Sequence, residues 1–162
     1  MAERITLSLI QIVLLSLWLG SAIFFAAAVA PALFASLPSR SLAGSVVGRL
    51  LPVVFIAGIA AGTAVIVLRA AAGRAGPRDL RSVCGGVLVA ACAVAQLGIA
   101  PRIERVRAEI AGPVEALAAT DPRRLAFGRL HGLSVAWLGV GMLAAAVALA
   151  AAWRSAGPPA NQ

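Results

Sequence analysis

The chain has 162 residues, 61% of them hydrophobic and 12% charged, with a mean hydropathy of +0.97 and a formal net charge of +8. A water-soluble domain carries roughly 25% charged residues, so this composition excludes an ordinary soluble globule and a disordered chain. All fourteen basic residues are arginines standing between long apolar runs. Basic loops of that kind orient membrane helices, so the charge is read as topological and no nucleic-acid partner is expected.

The first apolar run, Ile5 to Ala30, follows Glu3 and Arg4 and is closed by Pro31. Ala28-Val29-Ala30 imitates a signal cleavage site, but a signal core has only about 7–15 apolar residues. A retained transmembrane helix over residues 5–30 is expected instead. The second run, residues 46–68, carries Arg49 and Pro52 in its first turns. Its Gly58 and Gly62 form a small-xxx-small pair suited to close helix packing. The third, residues 83–100, stops before Pro101 and holds Cys84 and Cys92. Eight residues apart on a helix, these thiols lie about 12 Å apart, too far for a disulfide or a shared metal.

The fourth run is apolar from Leu130 to Trp153, but Asp121-Pro122 reads as an N-cap followed by a first helical residue. A helix over 122–153 would measure about 48 Å against a hydrocarbon core of about 30 Å. The third and fourth helices should therefore extend beyond the bilayer on one side as a charged hairpin. The Gly-Pro-Pro tail, residues 155–162, is expected to be disordered. None of the four runs has a polar face. The expectation is an all-α, integral membrane four-helix up-down bundle, with residues 1–154 as one domain. Arg4 and the loop with Arg69, Arg74, Arg78 and Arg81 favour cytoplasmic termini, in a bacterial inner membrane, although the Arg-rich stretch 102–129 pulls the other way.

Most active-site chemistry is missing. His131 is the one histidine, no Asp or Glu lies within an apolar run, and neither a P-loop nor a Gly-x-Ser-x-Gly motif occurs. No catalytic residue, metal site or cofactor is assigned, and nothing recommends an enzyme. The polar residues in or near the bilayer are Gln11, Arg49, Gln96, His131 and a few Ser and Thr. In an up-down bundle Arg49, Gln96 and His131 share one membrane face, and Ser134 follows His131 by one turn. A basic binding site of Arg49, Gln96, His131 and Ser134 is expected there, roofed by residues 31–38 and the Phe127 turn, with Arg49 holding an anionic group. The plainer alternatives are headgroup snorkelling for Arg49, interhelical bonding for Gln96 and an interface hydrogen bond for His131. Gln11, in the opposite half, is expected to tolerate leucine.

Several strings carry a resemblance: Leu17-Trp18-Leu19-Gly20, Ala30-Pro31-Ala32-Leu33-Phe34 with Leu37-Pro38, Val47-Gly48-Arg49-Leu50, and Phe127-Gly128-Arg129-Leu130-His131-Gly132-Leu133-Ser134. Over about residues 9–150 the chain resembles the small membrane proteins related to transmembrane protein 205, a family labelled a domain of unknown function. The resemblance implies four transmembrane helices and no established reaction. Three classes of function stand open. The first is a non-enzymatic module that binds membrane lipid or a partner, either another membrane protein or a second copy of the chain. The second is a haem- or metal-handling protein using His131 with ligands from another subunit. The third is a small oligomeric transporter.

Overall fold

The computed structural model describes residues 2–110 and 112–156, with side-chain surroundings from Ile5 to Ser155. The described residues form helices and connecting turns, without a strand. Four helices are long and apolar enough to cross a membrane: α1 (residues 2–36), α2 (Arg40–Ala71), α3 (Leu80–Ala108) and α4 (Pro122–Ala156).

Two of these helices run through prolines that the sequence reading takes as stops. Pro31 and Pro101 lack an N–H, and each ring crowds the carbonyl four residues earlier. In α1 the backbone widens over Phe25–Val29, where the Ala30 N–H bonds to the Phe25 carbonyl five residues back. In α3 it widens over Val94–Ile99, with the Ala100 N–H on the Ala95 carbonyl. Each wide turn absorbs the proline, and the helix continues to Ser36 or Ala108. The helices are thus longer than the expected 5–30 and 83–100. Pro52 is held inside α2.

The true ends have local causes. Leu37 is extended (φ −89°, ψ 146°), as the residue before Pro38 prefers. Ser39 then caps α2, its Oγ accepting from the Leu42 N–H at 3.1 Å, so α2 begins at Arg40 and not near residue 46. At the other end of α2, Gly73 takes φ 65°, with its N–H on the Ala70 carbonyl and the Arg74 N–H on the Arg69 carbonyl. That is a Schellman closure, and it needs a residue tolerant of positive φ. Asp79 caps α3 by accepting from the Ser82 N–H and hydroxyl. Asp121 caps α4, with the Arg123 N–H at 2.8 Å, as the sequence predicts. Because α4 stays helical to Ala156, residues 155 and 156 are not a disordered tail, and residues 157–162 lie outside the described residues.

Each helix packs on two others, α1 and α3 both against α2 and α4. The core joins Leu15, Trp18 and Ala22 of α1 to Phe55 and Val65 of α2, Leu88 and Cys92 of α3, and Leu138, Ala145 and Ala148 of α4. Small residues let the backbones approach. A Cβ on Gly58 would sit 2.5 Å from Cys92 Sγ and 2.8 Å from Trp18 Nε1, and one on Gly62 2.7 Å from the Gly85 carbonyl. The Trp18 indole uses the gap to donate to the Val54 carbonyl at 2.9 Å. The two cysteines are buried and free.

Large apolar side chains cover the outside as well: Leu17, Phe24, Val53, Leu97, Leu143 and Trp153 are all exposed. A surface this apolar over four helices of membrane length is solvated by lipid, not water. The protein is an integral membrane protein.

Candidate functional site

At the end of the bundle where α1 and α3 finish and α2 and α4 begin, a cavity of about 370 Å³ opens. Its walls follow helical spacing. On α2, Arg40, Ser41, Gly44, Val47, Gly48 and Leu51 recur every three or four residues. On α4 the lining residues are Arg124, Phe127, Gly128, His131 and Ser134, and on α3 Ile103, Glu104 and Arg107. Phe34 at the end of α1 and Val114 and Glu115 of the 112–121 connection close it.

Arg107 organises the outer half. Its guanidinium carbon lies 5.5 Å from the centre of the Phe127 ring, a cation–π contact, and Nη1 reaches Glu104 at 3.4 Å. Phe127 in turn lies parallel to the His131 ring, with centroids 6.3 Å apart and planes within 2°. Gly44 and Gly48 make room for the guanidinium, since a Cβ at either position would stand 3.1 or 3.4 Å from it. The connection is tied down on both sides. Glu115 accepts from the Ser41 N–H at 3.1 Å, and Arg124 donates to the Leu117 carbonyl at 2.7 Å. Arg123 holds the Asp121 carboxyl down to about 2, chiefly through their side-chain hydrogen bond.

Of the four residues expected to form a site, the cavity takes two. His131 and Ser134 line it on one face of α4. Ser134 is 4% exposed, and its hydroxyl has no hydrogen-bond partner among the described residues. Arg49 does not line it. One position past Gly48, it is rotated about 100° from the lining face of α2 and is exposed on the outside of the helix. Gln96 does not line it either. It sits about two turns deeper than Ile103, inside the wide turn of α3, where its Oε1 is buried without a partner.

Sequence reasoning missed Arg40, Arg107 and Arg124 as cavity residues, because it treated α2 as starting at residue 46 and the 102–129 stretch as a solvated hairpin. The glycines spaced four apart at 44 and 48, ahead of Pro52, were the available signal.

It also missed a second polar cluster at the other end of the bundle. Arg81 and Arg69 are each 6% exposed. Arg81 Nη1 donates to Ser8 Oγ at 3.3 Å and to Gln11 Oε1 at 3.2 Å, across the bundle from α3 to α1. Arg69 engages both Asp79 oxygens, Nε at 2.8 Å. That grip and the Ser82 bonds hold the Asp79 carboxyl well below the usual carboxylate range. The signal was Ser8 and Gln11 three residues apart on one helical face.

Residues 13–112 match the model of a family described as a domain of unknown function, DUF4149. The chain belongs to that family. The match takes in α1 from residue 13 onward and all of α2 and α3, so it covers the cavity walls of those three helices but not α4 with His131 and Ser134. No curated protein and no solved structure matches the chain.

Proposed function

We propose that this DUF4149 protein is a non-enzymatic membrane module that binds a lipid-like amphiphile in the cavity between its helix ends. The observation that carries the reading is Ser134, a residue 4% exposed whose hydroxyl has no hydrogen-bond partner among the described residues and which lines the inner, apolar part of a cavity whose outer part is charged. Buried polar groups are costly without a hydrogen-bond partner, so a ligand atom is the expected complement. The volume falls within the roughly 300–1,000 Å³ of small-molecule sites.

Depth fits an amphiphile. Arg49 and Arg69 bracket a charge-free stretch of α2 of about 30 Å, the thickness of a hydrocarbon core. With Arg49 at one boundary, Leu51 and Ser134 reach inward while Arg40, Arg107 and Arg124 stand in the headgroup zone. A polar head would meet the arginines and an apolar part would lie along Val47, Leu51 and Ile103. In this reading the helices run up and down, α3 and α4 extend beyond the bilayer at the cavity end, and the termini are cytoplasmic. Cysteines placed at Gly76 and Thr120 would then label from opposite sides of the membrane. The resemblance to transmembrane protein 205 relatives adds no reaction to it.

The test is native mass spectrometry of the purified full chain, released from lipid nanodiscs, beside Ser134→Leu and His131→Ala variants. Bound lipid on the parent, lost in Ser134→Leu at unchanged melting temperature, supports the reading. Equal lipid on parent and variant overturns it, and a Soret band in the purified protein would overturn it in favour of haem handling.

A further inference from the structure

We propose that the headgroup end of this cavity is the N-terminus of α2, and that Glu115 occupies it as an internal substitute for an anionic headgroup. The inference rests on the amphiphile reading and specifies its ligand as one with a single carboxylate or phosphate head.

Helix α2 is 32 residues long, and its first turn presents N–H groups without helical acceptors. Ser39 satisfies the Leu42 N–H from within the helix. The Ser41 N–H is satisfied from elsewhere, by the Glu115 carboxylate from the connection 74 residues along the chain. Arg40 stands beside it on the cavity rim and makes no ion pair among the described residues. A helix N-terminus with an adjacent free guanidinium is an anion site, and a carboxylate already sits in it. Ser41, Arg40 and Glu115 line the same cavity as Ser134, a residue 4% exposed whose hydroxyl has no hydrogen-bond partner among the described residues. One ligand can therefore engage both ends.

The geometry makes this a competition. Arg124 on the Leu117 carbonyl anchors the connection directly after the Val114–Ala116 turn, and the exposed Glu115 side chain can swing off the Ser41 N–H without releasing that anchor. An arriving anionic head takes the Ser41 N–H and Arg40, and Glu115 moves out into solvent, where a carboxylate is well hydrated. A neutral head has nothing to gain by displacing Glu115.

The experiment measures binding of oleate, oleyl phosphate and oleyl alcohol to the full chain in phosphatidylcholine nanodiscs, for the parent, Glu115→Ala and Arg40→Ala. Removing the internal carboxylate should tighten oleate or oleyl phosphate by about tenfold, the scale of one charge-assisted hydrogen bond, and leave oleyl alcohol unchanged. Arg40→Ala should weaken the anionic probes alone. Whichever anionic probe tightens identifies carboxylate or phosphate as the head. Inorganic phosphate at the same concentration should not displace either probe, and equal displacement would overturn a site built for an amphiphile. Unchanged anionic affinity in Glu115→Ala, with oleyl alcohol still bound, overturns the headgroup assignment and leaves the cavity reading standing. No binding of any probe to parent or variants overturns both.

Discussion

Arg81 of α3 reaches across the bundle to Gln11 of α1, and the amide oxygen that receives it, 3.2 Å away, belongs to a side chain only 1% exposed. This contact reverses the expectation that Gln11 tolerates leucine. An aliphatic side chain would remove an acceptor from a buried guanidinium, and a hydrogen bond to a charged group contributes about 1.5–3 kcal/mol. Gln11→Leu should lower the melting temperature in detergent, whereas Gln11→Glu should be tolerated because it supplies a charged acceptor. A parent-like melting curve for the leucine variant would show that Ser8 alone suffices.

Asp79 gives the bundle an acid limb. Its carboxyl titrates below the usual carboxylate range because Arg69 grips both oxygens and Ser82 donates twice. A depressed folded value means that the unfolded chain takes up the proton first as pH falls. The contribution is therefore fully present above about pH 4, near the unfolded carboxylate value, and is lost progressively below it. Asp79→Asn should remove that limb at once, costing about 3 kcal/mol by leaving Arg69 buried and unpaired. Thermal melts of parent and variant between pH 3 and 7 check both parts: the variant should be the weaker at pH 7, and the gap should narrow towards pH 3.

How legible these features were depends on their range along the chain. The four apolar runs and the Asp121 cap are local patterns, and a reader of the sequence finds them without the fold. The helix ends at Ser36 and Ala108 were hidden because proline normally breaks a helix, and only the backbone reveals the wide turns that absorb Pro31 and Pro101. His131 and Ser134 were legible as neighbours one turn apart. Arg107 over Phe127 and Arg81 on Gln11 join residues 20 and 70 positions apart, and no local period announces such pairs.

Glycines offer a contrast between two faces. A methyl on Gly58 would collide with Cys92 and with the Trp18 indole that bonds to Val54. Overpacking of this kind costs about 1–3 kcal/mol, so Gly58→Ala should destabilise the bundle clearly. Gly132, exposed on α4, has nothing within 4 Å of a Cβ position. Gly132→Ala should be neutral or stabilise by up to about 1 kcal/mol through helix propensity. The two melting temperatures, read in the same detergent, should move in opposite directions or only the first should fall.

Arg49 and Arg40 separate the two readings of the basic residues on α2. The sequence favoured Arg49 as the anion-holding side chain, but helix phase sets it on the outer surface, one residue off the face that carries Val47, Gly48 and Leu51. Arg40, Ser41 and Gly44 share that lining face, so charge reversal at residue 40 acts within the cavity mouth and charge reversal at residue 49 acts on the lipid boundary. Arg49→Glu should therefore leave amphiphile affinity within about twofold of the parent while reducing insertion efficiency, since an acid there loses the headgroup contact that an arginine makes by snorkelling. Arg40→Glu should lower affinity for an anionic amphiphile by about tenfold or more, because it removes a cation and adds a like charge at the same rim. Titrations of both variants with oleate in nanodiscs decide the matter. A loss confined to Arg49→Glu would move the binding surface from the cavity to the outside of α2.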